Sequence, residues 1–144
     1  MSALPPPPRY RWQFDHLNLQ AADSQPLQQL FASVMGLRSG YRPPFRFAGD
    51  WLYQEEQAWL HLVRPAPQEG DAVCLGHIAF RTDEPAAELL ARVRIAGLDH
   101  EVAIVPEDNT VQIFVRLPGG LVVELDARSG EVPVHGPALS RSPA

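Results

Sequence analysis

The chain has 144 residues, 45% of them apolar and 20% charged, which is the balance of a globular protein with a real core and not of a disordered chain. Its formal charge is −5 and its 12 basic residues are all arginine, scattered from Arg9 to Arg141; this argues against a nucleic-acid partner, and the absence of lysine removes Schiff-base chemistry. No apolar run reaches the ~20 residues of a membrane span, the proline-rich start from Met1 to Tyr10 lacks the apolar stretch of an export signal, and a single cysteine, Cys74, rules out an internal disulfide. The expectation is a cytoplasmic protein with a small-molecule partner and no membrane contact, with Cys74 a buried strand thiol.

Taken in chain order, residues 1–11 read as a proline-rich arm. Phe14 to Leu19 then alternates as a strand, Asp23 or Ser24 can cap a helix with Pro26 in its first turn, and Leu27, Leu30, Phe31 and Val34 follow helical spacing until Gly36 closes it. Strands are expected near Arg38–Tyr41, Asp50–Tyr53 and Ala58–Val63, with Arg42-Pro43-Pro44-Phe45 as an irregular crossing because proline cannot donate to a ladder. Val73 to Arg81 is the next strand, and Asp83 starts a helix with Ala86, Leu89, Leu90 and Val93 as its apolar face, ended by Gly97. Strands near Glu101–Val105, Thr110–Leu117 and Leu121–Asp126 complete the second half, the last two joined by a Pro118-Gly119-Gly120 turn. Residues 128–144 read as a tail.

The two halves repeat. A shift of 61 residues carries His16 onto His77, Leu17 onto Ile78, Leu19 onto Phe80, Gly36 onto Gly97 and Leu37 onto Leu98, while His61 and Glu124 correspond at a shift of 63. The reading is therefore an α+β fold of two βαβββ modules, 12–64 and 73–127, forming a cupped eight-stranded mixed sheet with its helices on the outer face.

Residues two apart on a strand share a face. Leu17, Leu19, Leu60, Leu62, Ile78, Phe80, Val123 and Leu125 would pack on the helices, which sends His16, His61, His77 and Glu124 to the opposite, concave surface. The same alternation sends Phe14, Asn18, Trp51, Tyr53, Trp59, Arg81, Gln112, Phe114 and Arg116 there, and the loop from Arg42 to Phe47 has two readings, a flap over the cup that offers a guanidinium such as Arg46 to an anionic substrate or a rigid solvent-facing crossover. Imidazoles with a carboxylate suit a divalent metal, Fe, Mn, Ni or Zn, and two His plus one carboxylate leave positions open for substrate. His100 and His135 read as surface residues.

The stretches Phe14 to Leu19, Val34-Met35-Gly36-Leu37, Gly76-His77-Ile78-Ala79-Phe80 and Gln112 to Leu125 together resemble the vicinal-oxygen-chelate superfamily of glyoxalases, bleomycin-resistance proteins and extradiol dioxygenases. The resemblance implies a metal at His16, His77 and Glu124, with His61 as fourth ligand or proton shuttle, and a homodimer. The activity it implies first is glyoxalase-like lyase or isomerase chemistry on adjacent oxygens, with Glu124 or His61 as base. Its alternatives are extradiol ring cleavage and metal-free binding of a small molecule. Glyoxalase-like members usually carry Glu or Gln where this chain has His61. The dioxygenases usually offer a tyrosine and a further histidine where this chain has Phe114 and Val105.

Overall fold

In the computed structural model, which describes residues 10–64 and 72–129, the alternating segments form one eight-stranded sheet. The elements are β1 (Trp12–Gln20), α1 (Gln25–Leu27) continuing as a π-helical segment (Gln28–Val34), β2 (Arg38–Ser39), β3 (Gly49–Gln54), β4 (Gln57–Val63), β5 (Cys74–Pro85), α2 (Ala86–Ile95), β6 (His100–Ile104), β7 (Val111–Arg116) and β8 (Val122–Arg128). Strand order is β2-β3-β4-β1-β5-β8-β7-β6, so the first strand of each half lies at the centre and the halves mirror one another outward. β1 pairs in parallel with β4, and β5 with β8, while β1 and β5 join antiparallel. No helix among the described residues is long and apolar enough to cross a membrane.

Alternation sorts the sheet into a helix-covered face and a concave one, as the sequence led us to expect. On the helix side Leu52, Leu60 and Leu62 pack with Ala21, Leu27 and Leu37, and Val111, Ile113 and Val115 pack with Ala86, Leu89 and Val93 of α2. Leu52 and Ile113 are fully buried, and burial of such a side chain stabilises the fold by about 1.5–3 kcal/mol. The concave face curls until the two ends of the sheet meet: Tyr41, just after β2, donates its hydroxyl hydrogen to Glu107 Oε1 in the β6–β7 turn, at 2.5 Å. That bond pushes the Tyr41 phenol up to about 12, since the adjacent carboxylate disfavours a phenolate.

Several expectations need correcting. The first helix departs from 3.6-residue periodicity after Leu27, with Met35 N–H donating to the Leu30 carbonyl five residues back; the widened turn rotates Leu30 and Val34 away from the core, and both are exposed. β5 runs on to Pro85, still paired with Arg128 of β8, so α2 begins at Ala86 and not at Asp83. Cys74, expected to be buried, is exposed at the first position of β5. Phe14 lies on the opposite face from the one expected. Two residues of β1 span one step of β5 between Phe14 and His16, and this bulge turns Phe14 onto Phe80, ring centroids 6.3 Å apart and nearly perpendicular. His135 and most of both tail segments lie outside the described residues.

Candidate metal centre

The bulge that displaces Phe14 has a second consequence: Asp15 and His16, consecutive in sequence, both reach the cup. Asp15 Oδ2 lies 2.5 Å from His16 Nδ1, and Asp15 Oδ1 accepts a hydrogen bond from Arg81 Nη1 at 2.9 Å. Burial alone would raise the Asp15 carboxyl, but His16 and Arg81 outweigh it and hold the group below the ordinary aspartate value. The Asp15 carboxylate beside Nδ1 leaves Nε2 as the His16 ring nitrogen turned toward the other candidate ligands.

That nitrogen meets the other two residues singled out by the sequence. His16 Nε2 is 3.3 Å from His77 Nε2 and 3.7 Å from Glu124 Oε2, while His77 Nε2 is 2.9 Å from Glu124 Oε1. All three side chains are almost wholly buried. Three donors bonded at about 2.1 Å to one ion stand about 3.0–3.4 Å apart, so the triangle has the dimensions of a metal face. Burial pushes the Glu124 carboxyl up, yet His16 and the His77 hydrogen bond overcome it and hold the group well below the usual carboxylate range. Two imidazoles converging on an ionised, buried carboxylate fit a divalent cation by donor chemistry as well as by spacing.

His61 is placed differently. Its ring is sandwiched between His16, centroids 3.4 Å apart and 16° from parallel, and Trp51, 3.7 Å and 9°. Burial, with the neighbouring imidazole of His16, lowers its basicity well below an ordinary histidine, so it is neutral. It comes within ligand spacing of Asp15 and His16 but stands outside the His16–His77–Glu124 group. Phe114 packs edge-on to His77 at 5.6 Å.

Two spaces open from the triad. A cavity of about 720 Å³ is bounded by His16, His61 and Glu124 at its floor and by Trp51, Tyr53 and Trp59 along one wall. A small void of about 30 Å³ lies against His77 and Glu124 under Phe45, Phe47, Trp51 and Phe114. The loop from Arg42 to Phe47 does fold over the cup, but it presents rings: Phe45 and Phe47 stack at 5.0 Å, and Arg42 lies over both while donating to the Phe47 carbonyl. Arg46 is exposed and borders neither space, and Arg116 is exposed 3.9 Å from Asp99. The guanidinium expected for an anionic substrate is therefore not at the cavity wall from either residue.

Two site residues escape a reading of the sequence. Asp15 is hidden, because alternation assigns it to the helix side and only the bulge brings it inward. Asp126 is legible in principle, since it stands two positions after Glu124 on the same strand and face. Burial, reinforced by the charge of Glu124 and their mutual hydrogen bond, raises the Asp126 carboxyl well above the ordinary value, so it carries a proton beside the ionised Glu124.

No protein-family model matches the sequence, and no curated protein matches it. Solved structures do. BphC, a halotolerant catechol dioxygenase, is 16% identical with a TM-score of 0.60, over 79% of this chain and 39% of that one. A variant of homoprotocatechuate 2,3-dioxygenase from Brevibacterium fuscum is 19% identical with a TM-score of 0.61, over 92% and 37%. The 2,3-dioxygenase LapB from Pseudomonas sp. KL28 is 15% identical with a TM-score of 0.64, over 81% and 40%. The chain has the fold of the extradiol dioxygenases. This agrees with the vicinal-oxygen-chelate resemblance carried by the sequence, and at these identities the likeness is one of fold. The chain spans between a third and two-fifths of the length of these neighbours.

Proposed function

We propose that the chain carries a divalent-metal site of the ring-cleaving dioxygenase type, acting on a small substrate with two adjacent hydroxyl oxygens. The observation that supports it is the number of converging donors. His16, His77 and Glu124 offer three atoms at coordination spacing, while His61, at the position corresponding to Glu124 in the other half, is held face-on in a stack. Two histidines and one carboxylate on one face, with the remaining positions open, is the donor set of non-haem iron oxygenases. A fourth donor, of the kind glyoxalase-like chemistry would use, is not aimed at the same point.

An ion held there would bind two vicinal oxygens and make their protons more acidic. The chain's own groups are suited to moving those protons and to seating the ring. Neutral His61 lines the large cavity and has a lone pair to accept a hydroxyl proton. Protonated Asp126, two positions after Glu124 on β8, borders the same cavity as a donor. Trp51, Tyr53 and Trp59 give a planar ring a wall to lie against, and Phe45 and Phe47 keep water from the small void. Glyoxalase-like isomerisation, the first expectation from the sequence, would ask Glu124 to carry the substrate proton, but its two oxygens are already engaged by His77 and by Gln112 and His16. A homodimer stays part of the proposal through the resemblance alone, with light scattering as its check.

The test is oxygen uptake by protein purified without a histidine tag, loaded anaerobically with ferrous ion and given 4-methylcatechol. Uptake that depends on iron and vanishes in His77→Ala is the expected result. Stoichiometric metal without uptake, together with isomerisation of a dicarbonyl adduct, would return the assignment to the glyoxalase class. Failure to take up any divalent metal would leave a metal-free binder.

A further inference from the structure

His61 stands in the first half where Glu124 stands in the second. Each lies on the last strand of its module, paired on one side with the central strand, at Asn18 and Ala79, and on the other with an aromatic residue, Trp51 and Phe114. The backbone therefore carries both side chains toward the two central imidazoles, yet Glu124 joins them and His61 does not. What steers the two side chains differs. Gln112 donates to Glu124 Oε2 at 3.3 Å, whereas the matching position in the first half is Gly49, which has no side chain to offer. Instead a column of rings closes on His61. Phe47 stacks on Phe45 at 5.0 Å, Phe45 tilts against Trp51 at 6.1 Å, Trp51 lies flat on His61 at 3.7 Å, and His61 lies flat on His16 at 3.4 Å.

That stack decides what His61 can do. The lone pair of an imidazole nitrogen lies in the ring plane, and the His16 and His61 planes are only 16° from parallel with centroids 3.4 Å apart. No point lies in both planes within the bond length of about 2.1 Å from a nitrogen of each ring, so the two rings as stacked cannot share an ion. The place His61 would have to occupy is nonetheless adjacent: the void of about 30 Å³ is bounded by His61, His77 and Glu124 together, and by the Trp51 indole. It is too small for an imidazole, and removing the indole enlarges it.

Resting on the reading of His16, His77 and Glu124 as the metal face, we propose that Trp51 is a positioning residue that holds His61 off the ion, keeping a potential fourth donor in the cavity wall. Without the indole, His61 turns into the void, becomes the fourth donor and closes one of the positions a substrate needs.

A double-mutant cycle in the full chain tests this, with zinc affinity read by competition against a chromophoric chelator and cobalt absorption as a second reading. His61→Phe, which keeps a ring in the stack and removes the nitrogens, is expected to leave zinc affinity within about threefold of the wild type. Trp51→Ala should tighten zinc roughly tenfold, and Trp51→Ala combined with His61→Phe should return it to the wild-type value. The visible bands of bound cobalt should intensify in Trp51→Ala as coordination closes toward four protein donors, and revert in the double variant. Trp51→Phe, which still lays a ring on His61, should match the wild type. A larger loss of zinc affinity in His61→Phe alone overturns the inference, and this reading needs no variant at position 51. So does a Trp51→Ala protein, folded by circular dichroism, whose affinity does not exceed that of the wild type, or a gain that survives removal of the His61 nitrogens. In each of these cases the wild type still binds metal and the triad reading stands. Failure of the wild-type chain to bind zinc or cobalt overturns that reading and the inference with it.

Discussion

Replacing Glu124 by glutamine tests the centre most directly, because it keeps the shape of the side chain and removes the only anionic donor of the triangle. The wild-type donors stand 2.9–3.7 Å apart in a buried site, so an ion bound there binds the folded chain alone and stabilises it by RT ln(1 + [M]/Kd). At free metal equal to 100 Kd this is about 2.7 kcal/mol. For 144 residues the unfolding entropy is roughly 0.3 kcal/mol per degree, which converts to a rise in Tm of about 9 °C. Loss of one charged donor of three should weaken affinity by ~100-fold or more, as even indirect partners of a ligand contribute 10–100-fold. The variant at the same metal concentration then gains only about 0.4 kcal/mol, a rise of one or two degrees. Thermal unfolding followed by circular dichroism, with and without zinc and each protein referred to its own apo baseline, reads the difference. A Glu124→Gln protein that still rises by as much as the wild type would refute the reasoning and locate the ion elsewhere, with Asp15, His16 and His61 as the next set to examine.

Three other perturbations probe the surrounding structure. Asp15→Asn, which keeps the size but not the charge beside His16 Nδ1, should lower metal affinity 10–100-fold by calorimetry without unfolding the chain; unchanged affinity would reduce Asp15 to a surface ion pair with Arg81. Gly76→Ala should destabilise by about 1–3 kcal/mol in urea unfolding, because a methyl there overlaps Asn18 Oδ1 and comes within 2.8 Å of Gln20 Nε2. The apo protein should lose stability as pH falls below about 6.5. The fold depresses the basicity of His61, so its contribution is present above the unfolded value of 6.5 and is lost as pH falls through the folded value, where the unfolded chain binds a proton the native state refuses. Comparing urea midpoints at pH 7.5 and 5.5, His61→Gln should flatten that slope by up to one proton's worth, about 1.4 kcal/mol per pH unit. An identical slope in the variant would assign the proton elsewhere.

Much of this centre is legible in the sequence because a strand with one face against helices has little freedom. Once Leu17 and Leu60 or Ile78 and Val123 are committed to the core, alternation leaves His16, His61, His77 and Glu124 no other side to occupy. Departures from regular period are what stay hidden. One extra residue in β1 moves Phe14 out and Asp15 in, and a π-helical turn brings Leu30 and Val34 to solvent; neither is marked by a glycine or proline at the irregular position. The loop over the cup is legible as a crossing, but whether it presents Arg46 or its phenylalanines depends on Arg42 stacking on Phe45 and Phe47. Such a contact is decided in space and leaves no periodic trace.

The repeat also explains why the site has three converging donors and not four. Across β3, β4 and β1 the register aligns Trp51, His61 and Asn18, and across β7, β8 and β5 it aligns Phe114, Glu124 and Ala79. The rows are equivalent in backbone but not in bulk. In the first, the indole lies flat on His61 and presses it flat on His16, so its nitrogens lie in a plane nearly parallel to the His16 ring and offset from it by the stacking distance. In the second, Ala79 is a buried methyl beside Glu124 and Phe114 turns edge-on to His77, and the carboxylate stands 2.9 Å from His77 Nε2 and 3.7 Å from His16 Nε2. A symmetric backbone thus yields an asymmetric site through three side-chain differences. That asymmetry separates a three-donor face with open positions from a closed four-donor cage, and so decides which chemistry the cup can support.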